Sequence, residues 1–276
     1  MTVQDYLVLN QGKWAEETFV RYRDVLVKFE AEVDLDHLTA MTLREWMYGH
    51  GWGQSQRYLS WVAVRGYIRW TFGGRHPALE LKEKRVKSAP QRALKIPQIK
   101  KLISSFHTMT AKGIRDLAIC TLMLDTGLRC SEVCRLDLRF LDLEERQLKV
   151  LIKGGRWGTA MFSEPTARFM ADWLAIRPKG NDAVFVALHG QKPGQRITRE
   201  GLFAIIHKWG EVAEIGKLSP HDLRRTFAVT ATRLGAPSRL VQMAGRWSSI
   251  EMVEVYTQTL ENSDFKGYFP VEELGF

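Results

Sequence analysis

The sequence contains little cysteine. Its 3 cysteines, Cys120, Cys130 and Cys134, form no CxxC pair and have no adjacent histidine. An odd number of thiols within one apolar region argues against a disulfide framework or a zinc site, so we expect three reduced core residues. No apolar run approaches the roughly 18 residues that a membrane-spanning helix needs, and the first residues lack the charged-then-apolar plan of a signal peptide. We therefore expect a soluble cytoplasmic protein with no membrane partner.

Two features that serve many enzymes are also missing, a glycine-rich nucleotide-binding loop and a cluster of metal ligands. We therefore expect neither a cofactor nor a metal ion. Acidic residues are scarce, with 31 Asp and Glu against 40 Lys and Arg and a formal net charge of +9. This basic excess favours a polyanionic partner such as a nucleic acid, although a ribosome-associated or merely basic protein has the same balance.

Much of the basic excess lies in one strip. Between Leu81 and Lys101, eight Lys and Arg residues stand against a single acid, Glu83. The centre of this strip, VKSAPQRALKIP, has two prolines and no usable apolar period, which is typical of an extended linker between domains. We predict a first domain over 1–80, a basic interdomain linker over 81–95, a second domain over 96–262 and a C-terminal tail over 263–276.

The first domain is predicted to be a small all-helical bundle. Apolar residues recur at helical spacing over 19–29, 38–47 and 54–72, and glycines end the third segment. An i+4 row on this third helix suits contact with a DNA groove or backbone, and a solvated face of snorkelling arginines is nearly as good an interpretation. The row consists of Arg57, Trp61, Arg65 and Arg69.

The second domain is predicted to be mainly helical with one β-hairpin. Alternation from Gln147 to Lys153 is typical of a strand, and residues 159–162 can return as its partner after GGRWG. Lys153 then lies at the hairpin tip, where a lysine either reaches a ligand or is solvated. A short helix is expected to begin at a cap formed by Ser131 and Glu132. Helical apolar periods cover 96–106, 114–125, 166–176 and 197–213.

The stretch SPHDLRRTFAVTATRLG predicts a helix with a strong start. Ser219 is a suitable N-cap, a proline occupies the first helical position, and Asp222 stands where a capping-box acid belongs. His221 and Arg224, three residues apart, share the first turn. A helix start with an imidazole and a guanidinium suits a phosphate, and a basic solvated surface is an equally good interpretation.

A later helix, capped by Ser248 or Ser249, is expected to carry Tyr256 about two turns from its start. Trp247 directly precedes the cap. A tyrosine in this register is most often a core residue with its hydroxyl at the rim, so the position alone does not indicate a function.

Together these motifs resemble those of the tyrosine recombinases of the phage-integrase and Xer type, over nearly the whole chain. TGLRCSEVCRL resembles the TGLR-x-SE-L box, IKGGR the hairpin GKGxK, SPHDLRRTFA the PHxLR box, and AGRWSSIEMVEVYTQ the closing box. Each box alone is a weak signal, but four in order are hard to obtain by chance. The resemblance implies the catalytic residues Arg129, Lys153, His221, Arg224, Trp247 and Tyr256, with Glu132 supporting Arg129.

Two positions depart from the family pattern. The family most often has histidine where this chain has Arg225, and glycine directly before the closing His or Trp, where this chain has Arg246. In the family, that His or Trp precedes the nucleophile by nine residues, and Trp247 precedes Tyr256 by nine. The spacing therefore favours Trp247 over Arg246 as the residue that faces the phosphate.

The resemblance implies a site-specific recombinase that cleaves and rejoins DNA without metal or ATP. Tyr256 would attack the scissile phosphate to give a 3′-phosphotyrosyl link and a free 5′-hydroxyl. Arg129 and Arg224 would clamp the non-bridging oxygens. Lys153 would protonate the leaving oxygen, and His221 would accept the phenolic proton or bind the phosphate.

The implied fold is mainly α with a small antiparallel sheet, in two domains: an all-helical, SAM-like core-binding bundle and a mixed α/β catalytic domain. The implied partners are double-stranded DNA and further copies of the chain in a synaptic tetramer, with no additional arm-binding domain expected. The apolar tail would pack on a neighbouring protomer or fold back on its own domain. The DNA-contact candidates are Arg57, Arg65, Arg69, Lys84, Arg85, Lys87, Arg92 and Arg156.

Three other interpretations remain open at this point. A type IB topoisomerase uses the same kind of pocket to relax DNA, and an inactive recombinase fold could serve as a DNA-binding accessory protein. A basic RNA-binding protein with accidental matches to the four boxes is the least favoured.

Overall fold

The structure is a computed structural model that describes residues 2–84, 92–152, 155–190 and 193–257, with the backbone alone for 255–257. The chain divides into two compact units, Met1–Ala89 and Pro90–Phe276. The described residues are mostly helical with a small antiparallel sheet, which confirms the predicted fold class. Among the described residues, no helix is both long enough and apolar enough to cross a membrane.

The first unit is a helical bundle around an aromatic core. Leu26, Phe29 and Tyr67 are completely buried at its centre. The third predicted helix occupies the expected span and ends at Gly73, which has a positive φ. The N-terminal helix was not predicted, because eight residues give too few turns for an apolar period to be distinct. The helices are α1 Val3–Asn10, α2 Glu16–Glu32, α3 Ala40–Gly49 and α4 Gln54–Phe72, followed by a 3-10 turn, Pro77–Glu80.

The second unit is built around one helix that is buried nearly all round. Ile119, Cys120 and Leu122 of this helix, α6, have no exposed surface. It packs against the helices α8 and α10 of the same unit. The helices are α5 Ile96–Ser104, α6 Ala111–Thr126, α7 Cys130–Cys134, α8 Glu164–Ile176, α9 Arg199–Val212, α10 Pro220–Arg233, α11 Ser238–Gly245 and α12 Glu251–Thr257.

A three-stranded antiparallel sheet replaces the simple hairpin of the sequence prediction. Its strands are β1 Leu141–Asp142, β2 Gln147–Leu151 and β3 Trp157–Met161, in the order β1-β2-β3. Leu148 pairs with Ala160, and both are buried, so this face of the sheet covers the core. The two-residue β1 is too short to leave a period in the sequence.

Two local predictions need correction. The short helix expected to begin with Ser131 is α7, and its N-cap is Arg129, because the Glu132 carboxylate accepts from the Arg129 backbone N–H at 2.9 Å. Cys120 and Cys134 are buried thiols as expected, but Cys130 is only partly buried, so it is not a core residue.

Candidate active site

The first turn of α10 is fixed by a capping box. The Asp222 carboxylate accepts from the Ser219 backbone N–H at 2.8 Å, and Ser219 Oγ accepts from the Asp222 backbone N–H at 3.3 Å. The predicted cap is confirmed. Since the box satisfies backbone groups at the helix start, His221 and Arg224 occupy defined positions one turn apart.

Arg224 lies inside the protein and connects three segments. Only 2% of it is exposed. Its guanidinium donates to the carbonyl of Gly127 and, at 2.7 Å, to the carbonyl of Gly245. It also lies 4.2 Å from the centroid of the Trp247 ring. One cation thus holds together α10, the turn after α6 and the end of α11.

Both carbonyl partners of Arg224 belong to glycines that no other residue could replace without displacement. Gly127 adopts the left-handed conformation at φ 58°, and a Cβ there would lie 2.4 Å from Phe227 Cδ1. At Gly245 a Cβ would lie 1.7 Å from Trp247 Cζ3. Since carbon atoms cannot approach so closely, both glycines are needed for the ring packing beneath Arg224.

Arg129 is the partly exposed counterpart of Arg224. Its Nη1 donates to Glu132 Oε1 at 2.8 Å, and the other carboxylate oxygen accepts from its backbone N–H. The Glu132 side chain is 3% exposed, whereas the Arg129 side chain is 31% exposed. The buried carboxylate therefore anchors a guanidinium that still faces solvent.

His221 is exposed at the start of α10, but the protein around its ring lowers its pKa below the ordinary value. Burial of the ring contributes most to the lowering of the pKa, followed by the positive charge of Arg224, while Asp222 opposes the change. Arg129 and Arg225 lower the pKa further. The lowered pKa favours the neutral imidazole, which can accept a proton. Arg225 itself is 1% exposed, so the departure from the family pattern is a buried cation.

Trp247 forms one side of the residue cluster around Arg224. It is 5% exposed and packs with Ala228, Val241 and Val253. The Phe227 ring stacks on it at a centroid distance of 6.2 Å. Through Val253, α12 is held against Trp247.

Tyr256 belongs to α12, three residues after the buried Val253. The helix α12 packs against α10 and α11 of the second unit. The Tyr256 side chain lies outside the described part of the structure, and so do Lys153, Arg85 and Lys87.

Arg246, which the sequence marked as a departure from the family pattern, lies beside Glu132 and the turn after α6. Its Nη2 donates to the Thr126 carbonyl at 2.9 Å and lies 3.7 Å from Glu132 Oε2. The spacing to Tyr256 favoured its neighbour Trp247 as the residue that faces the phosphate. The sequence noted the arginine in place of glycine but did not predict the contacts of Arg246 with Thr126 and Glu132.

The DNA-contact candidates of the first unit have different surroundings. Arg57 is 3.4 Å from Glu83, and Arg65 lies 4.8 Å from the centroid of the Trp61 ring. Trp61 itself is a core residue, 9% exposed, with its indole N–H donating to the Leu81 carbonyl. Arg69 is exposed. The predicted row is therefore exposed at Arg69 and part of the core at Trp61.

The candidates of the linker and the second unit also differ. Lys84 is exposed. The Arg92 guanidinium donates to the carbonyls of Ile215 and Lys217, so it is anchored to the second unit. Arg156 is exposed beside the hairpin, where its carbonyl accepts from the Ile152 backbone N–H at 2.8 Å.

The sequence is similar to those of known proteins. A family model described as "Phage integrase family" matches residues 92–263. "Tyrosine recombinase XerC" of Corynebacterium efficiens is 30% identical over 266 residues, which cover 92% of this chain and 84% of that protein. The corresponding XerC of Corynebacterium glutamicum is 28% identical over 267 residues, with the same coverage of 92% and 84%.

A solved structure of the Tn1549 transposon integrase in complex with circular intermediate DNA is similar in fold. The TM-score is 0.74 at 16% sequence identity, and the match covers 99% of this chain and 100% of that chain. At this level of identity the likeness concerns the fold. It extends over both compact units of the chain.

Proposed function

The chain belongs to the phage integrase family and is a tyrosine recombinase, and from this premise we propose that it cleaves and rejoins DNA through a phosphotyrosyl bond at Tyr256. DNA is the proposed partner for two reasons. The net charge of +9 suits a polyanion, and the similar Tn1549 integrase structure is a DNA complex.

The observation that carries the proposal is the position of Arg224 between the Gly127 and Gly245 carbonyls. This arrangement brings three of the four family boxes to one place. A buried guanidinium with a fixed orientation needs no reorganisation when negative charge develops on a phosphate. Arg224 would therefore be a preorganised half of an oxyanion clamp.

Arg129 would supply the other half. Two forked, permanently charged guanidiniums suit the two non-bridging oxygens of a phosphodiester better than point charges would. Glu132 accepts from Nη1 of Arg129 at 2.8 Å, and since 31% of the Arg129 side chain is exposed, its other donors would be available to a phosphate. In this proposal the two arginines take the part that divalent metals play in many nucleases.

The proposed chemistry is an exchange of phosphodiesters. The Tyr256 oxygen forms a bond to phosphorus while the bond from phosphorus to the 5′-oxygen breaks. The neutral His221 ring accepts the phenolic proton, and Lys153 donates a proton to the departing 5′-oxygen. Because the phosphotyrosyl bond conserves the energy of the broken bond, the reverse step can join a new strand without ATP.

A recombinase that exchanges both strands of two duplexes cuts four strands and needs a nucleophile for each. We therefore propose a synaptic complex of four protomers on DNA. The apolar tail predicted to link protomers, over 263–276, lies outside the described residues.

The test of this function uses a suicide duplex that carries a nick beside a target site, so that cleavage cannot be reversed. The native protein is expected to form a covalent protein–DNA adduct, and Tyr256→Phe is expected to form none. Tyr268→Phe is the matched control, because Tyr268 is the next tyrosine along the chain.

The outcomes separate the alternatives. An adduct that persists in Tyr256→Phe and disappears in Tyr268→Phe would reassign the nucleophile. Relaxation of supercoiled DNA without exchange between two sites would favour a type IB topoisomerase. DNA binding without any adduct would favour an inactive accessory protein.

A further inference from the structure

Arg246 occupies a backbone conformation that favours glycine. Its φ is 56° and its ψ is 43°, directly after α11 ends at Gly245. For a residue with a side chain, the left-handed region costs about 1 kcal/mol. A helix commonly ends with glycine in this conformation. Since the chain has arginine here, the side chain must offset the cost through its own contacts.

Those contacts are specific. Nη2 of Arg246 donates to the Thr126 carbonyl at 2.9 Å, and Nη1 donates to the Ala244 carbonyl at 2.6 Å. Nη2 also lies 3.7 Å from Glu132 Oε2, and only 4% of the side chain is exposed. Burial lowers the pKa of the guanidinium, and the charge of Glu132 opposes this lowering. Arg246 is therefore a buried cation with a buried anionic partner.

The aliphatic part of Arg246 also has a close neighbour. A Cβ added at Gly158 of β3 would lie 3.2 Å from Arg246 Cδ. The side chain thus passes between β3, the turn at Thr126 and Glu132 of α7. Its backbone directly precedes Trp247, whose ring is packed against Val253 of α12.

We propose that Arg246 is a positioning residue for strand cleavage. It fixes the position of the Arg129 guanidinium and of the start of the segment that leads to Tyr256. Glu132 lies between two cations, Arg129 and Arg246. Because Arg246 neutralises part of the Glu132 carboxylate charge, Glu132 offsets less of the positive charge that Arg129 offers to a phosphate. This inference rests on the proposed function for its catalytic part only.

The test is Arg246→Gly. Glycine suits the left-handed backbone, so the substitution relieves strain while it removes the guanidinium. We expect the rate of adduct formation on saturating suicide duplex to fall by about 10- to 100-fold, the scale of a misplaced catalytic group. DNA affinity is expected to change little, because the Arg246 side chain is buried. Added methylguanidinium should restore part of the rate.

Glu214→Gly is the matched control. Glu214 also has a positive φ, 51°, but its side chain is exposed and pairs with Lys101 at 2.6 Å. The control relieves the same kind of backbone strain away from the cluster, so its cleavage rate should equal that of the native protein. Arg246→Gly cleaving at that same rate would overturn the proposal.

A second measurement does not depend on DNA cleavage. Hydrogen exchange of amides 247–254 should be at least about 5-fold faster in Arg246→Gly than in Glu214→Gly, which corresponds to the loss of one net hydrogen bond. Equal exchange in the two variants would show that Arg246 does not hold this segment. If the native protein forms no adduct, the proposed function fails, while the exchange rates still decide the positioning role.

Discussion

Arg224 and Arg129 have the same charge but different freedom. Arg224 is 2% exposed and uses its donors on the carbonyls of Gly127 and Gly245. The Arg129 side chain is 31% exposed and has one anionic anchor, Glu132. We infer that Arg224 is fixed before DNA arrives, whereas Arg129 adjusts to the bound phosphate. Fixed and adjustable donors on one phosphate combine preorganisation with tolerance to the approach of the duplex.

His221 offers a test of the electrostatics of the site. Its pKa is lowered mainly by burial and then by Arg224, with a further contribution from Arg129. Replacing Arg129 with glutamine removes one of the positive charges that lower the pKa of His221, and this change favours the protonated ring. We therefore expect the pKa of His221, measured by NMR titration of the free protein, to rise in Arg129→Gln. An unchanged or lower pKa would contradict the assigned arrangement.

The lowered pKa also has a consequence for stability. Because the unfolded chain binds the proton more readily than the folded protein, protonation of His221 opposes folding. The contribution of His221 to stability is complete above the ordinary histidine pKa of about 6.5. It is lost as the pH falls from that value through the lower pKa of the folded protein. Arg129→Gln should reduce this loss.

The sequence predicts which side chains form the cluster better than it predicts their burial and their contacts. Motif spacing selected Arg129, Glu132, His221, Arg224 and Trp247, and the structure brings these residues together. The motif spacing did not predict that Arg224 is buried, because its burial depends on the carbonyls of two turns that are distant in the sequence. The contacts of Arg246 were not predicted for the same reason, since its partner Thr126 is far away in the sequence.

The end of α11 provides a prediction about an element. Gly245→Ala would place a Cβ 1.7 Å from Trp247 Cζ3, so the ring or the helix must move. Overpacking of this kind typically costs about 1–3 kcal/mol. We expect a lower free energy of unfolding of the second unit in urea, together with slower cleavage.

The control for this prediction is Gly201→Ala in α9. A Cβ there would lie 3.4 Å from Thr198 Oγ1, which is ordinary contact. Alanine in a helix is more favourable than glycine by roughly 1 kcal/mol, so this variant should be as stable as the native protein or more so. If Gly245→Ala is no less stable than Gly201→Ala, the close packing of Trp247 on Gly245 is wrong.

On α4, the two outer arginines of the predicted row are expected to behave differently. Arg69 is exposed, whereas Arg57 is 3.4 Å from Glu83 and 4.5 Å from the centroid of the Tyr48 ring. We expect Arg69→Ala to weaken DNA binding and to reduce the slope of log K against log salt by about 1, as loss of one phosphate contact does. Its thermal stability should be unchanged.

Arg57→Ala should instead lower the melting temperature of the first unit, because it removes a partner of Glu83 and Tyr48. Calorimetry and salt-dependent binding of both variants separate the two roles. A salt slope for Arg69→Ala that equals the native slope would remove Arg69 from the DNA contacts.

Elements with strong local signals were predictable, and elements that depend on tertiary contacts were not. The span of α4 was predicted because a long apolar period ends at Gly73. The short helix α11 was missed although its apolar residues follow a helical period, because its eight residues make only about two turns. The i+4 row on α4 could not reveal that Trp61 is a core residue, because its burial depends on the neighbouring helices and on Leu81.

The proposed function of the whole molecule is one exchange reaction. In this proposal a basic protein with the family boxes in order holds a phosphodiester and replaces one of its esters with a tyrosyl ester. The order of the four boxes in the sequence places them in one unit. The distances between them in space depend on the packing of α6, α10 and α12, and no single motif encodes that packing.

Identification of the amino acid that carries the DNA tests directly whether Tyr256 is the nucleophile. The adduct formed on a suicide duplex would be digested with nuclease and protease and the linked peptide analysed by mass spectrometry. We expect a nucleotide joined through its 3′-phosphate to Tyr256, with a free 5′-hydroxyl on the released strand. A phosphate attached to another residue, or a 5′-phosphate on the released strand, would contradict it.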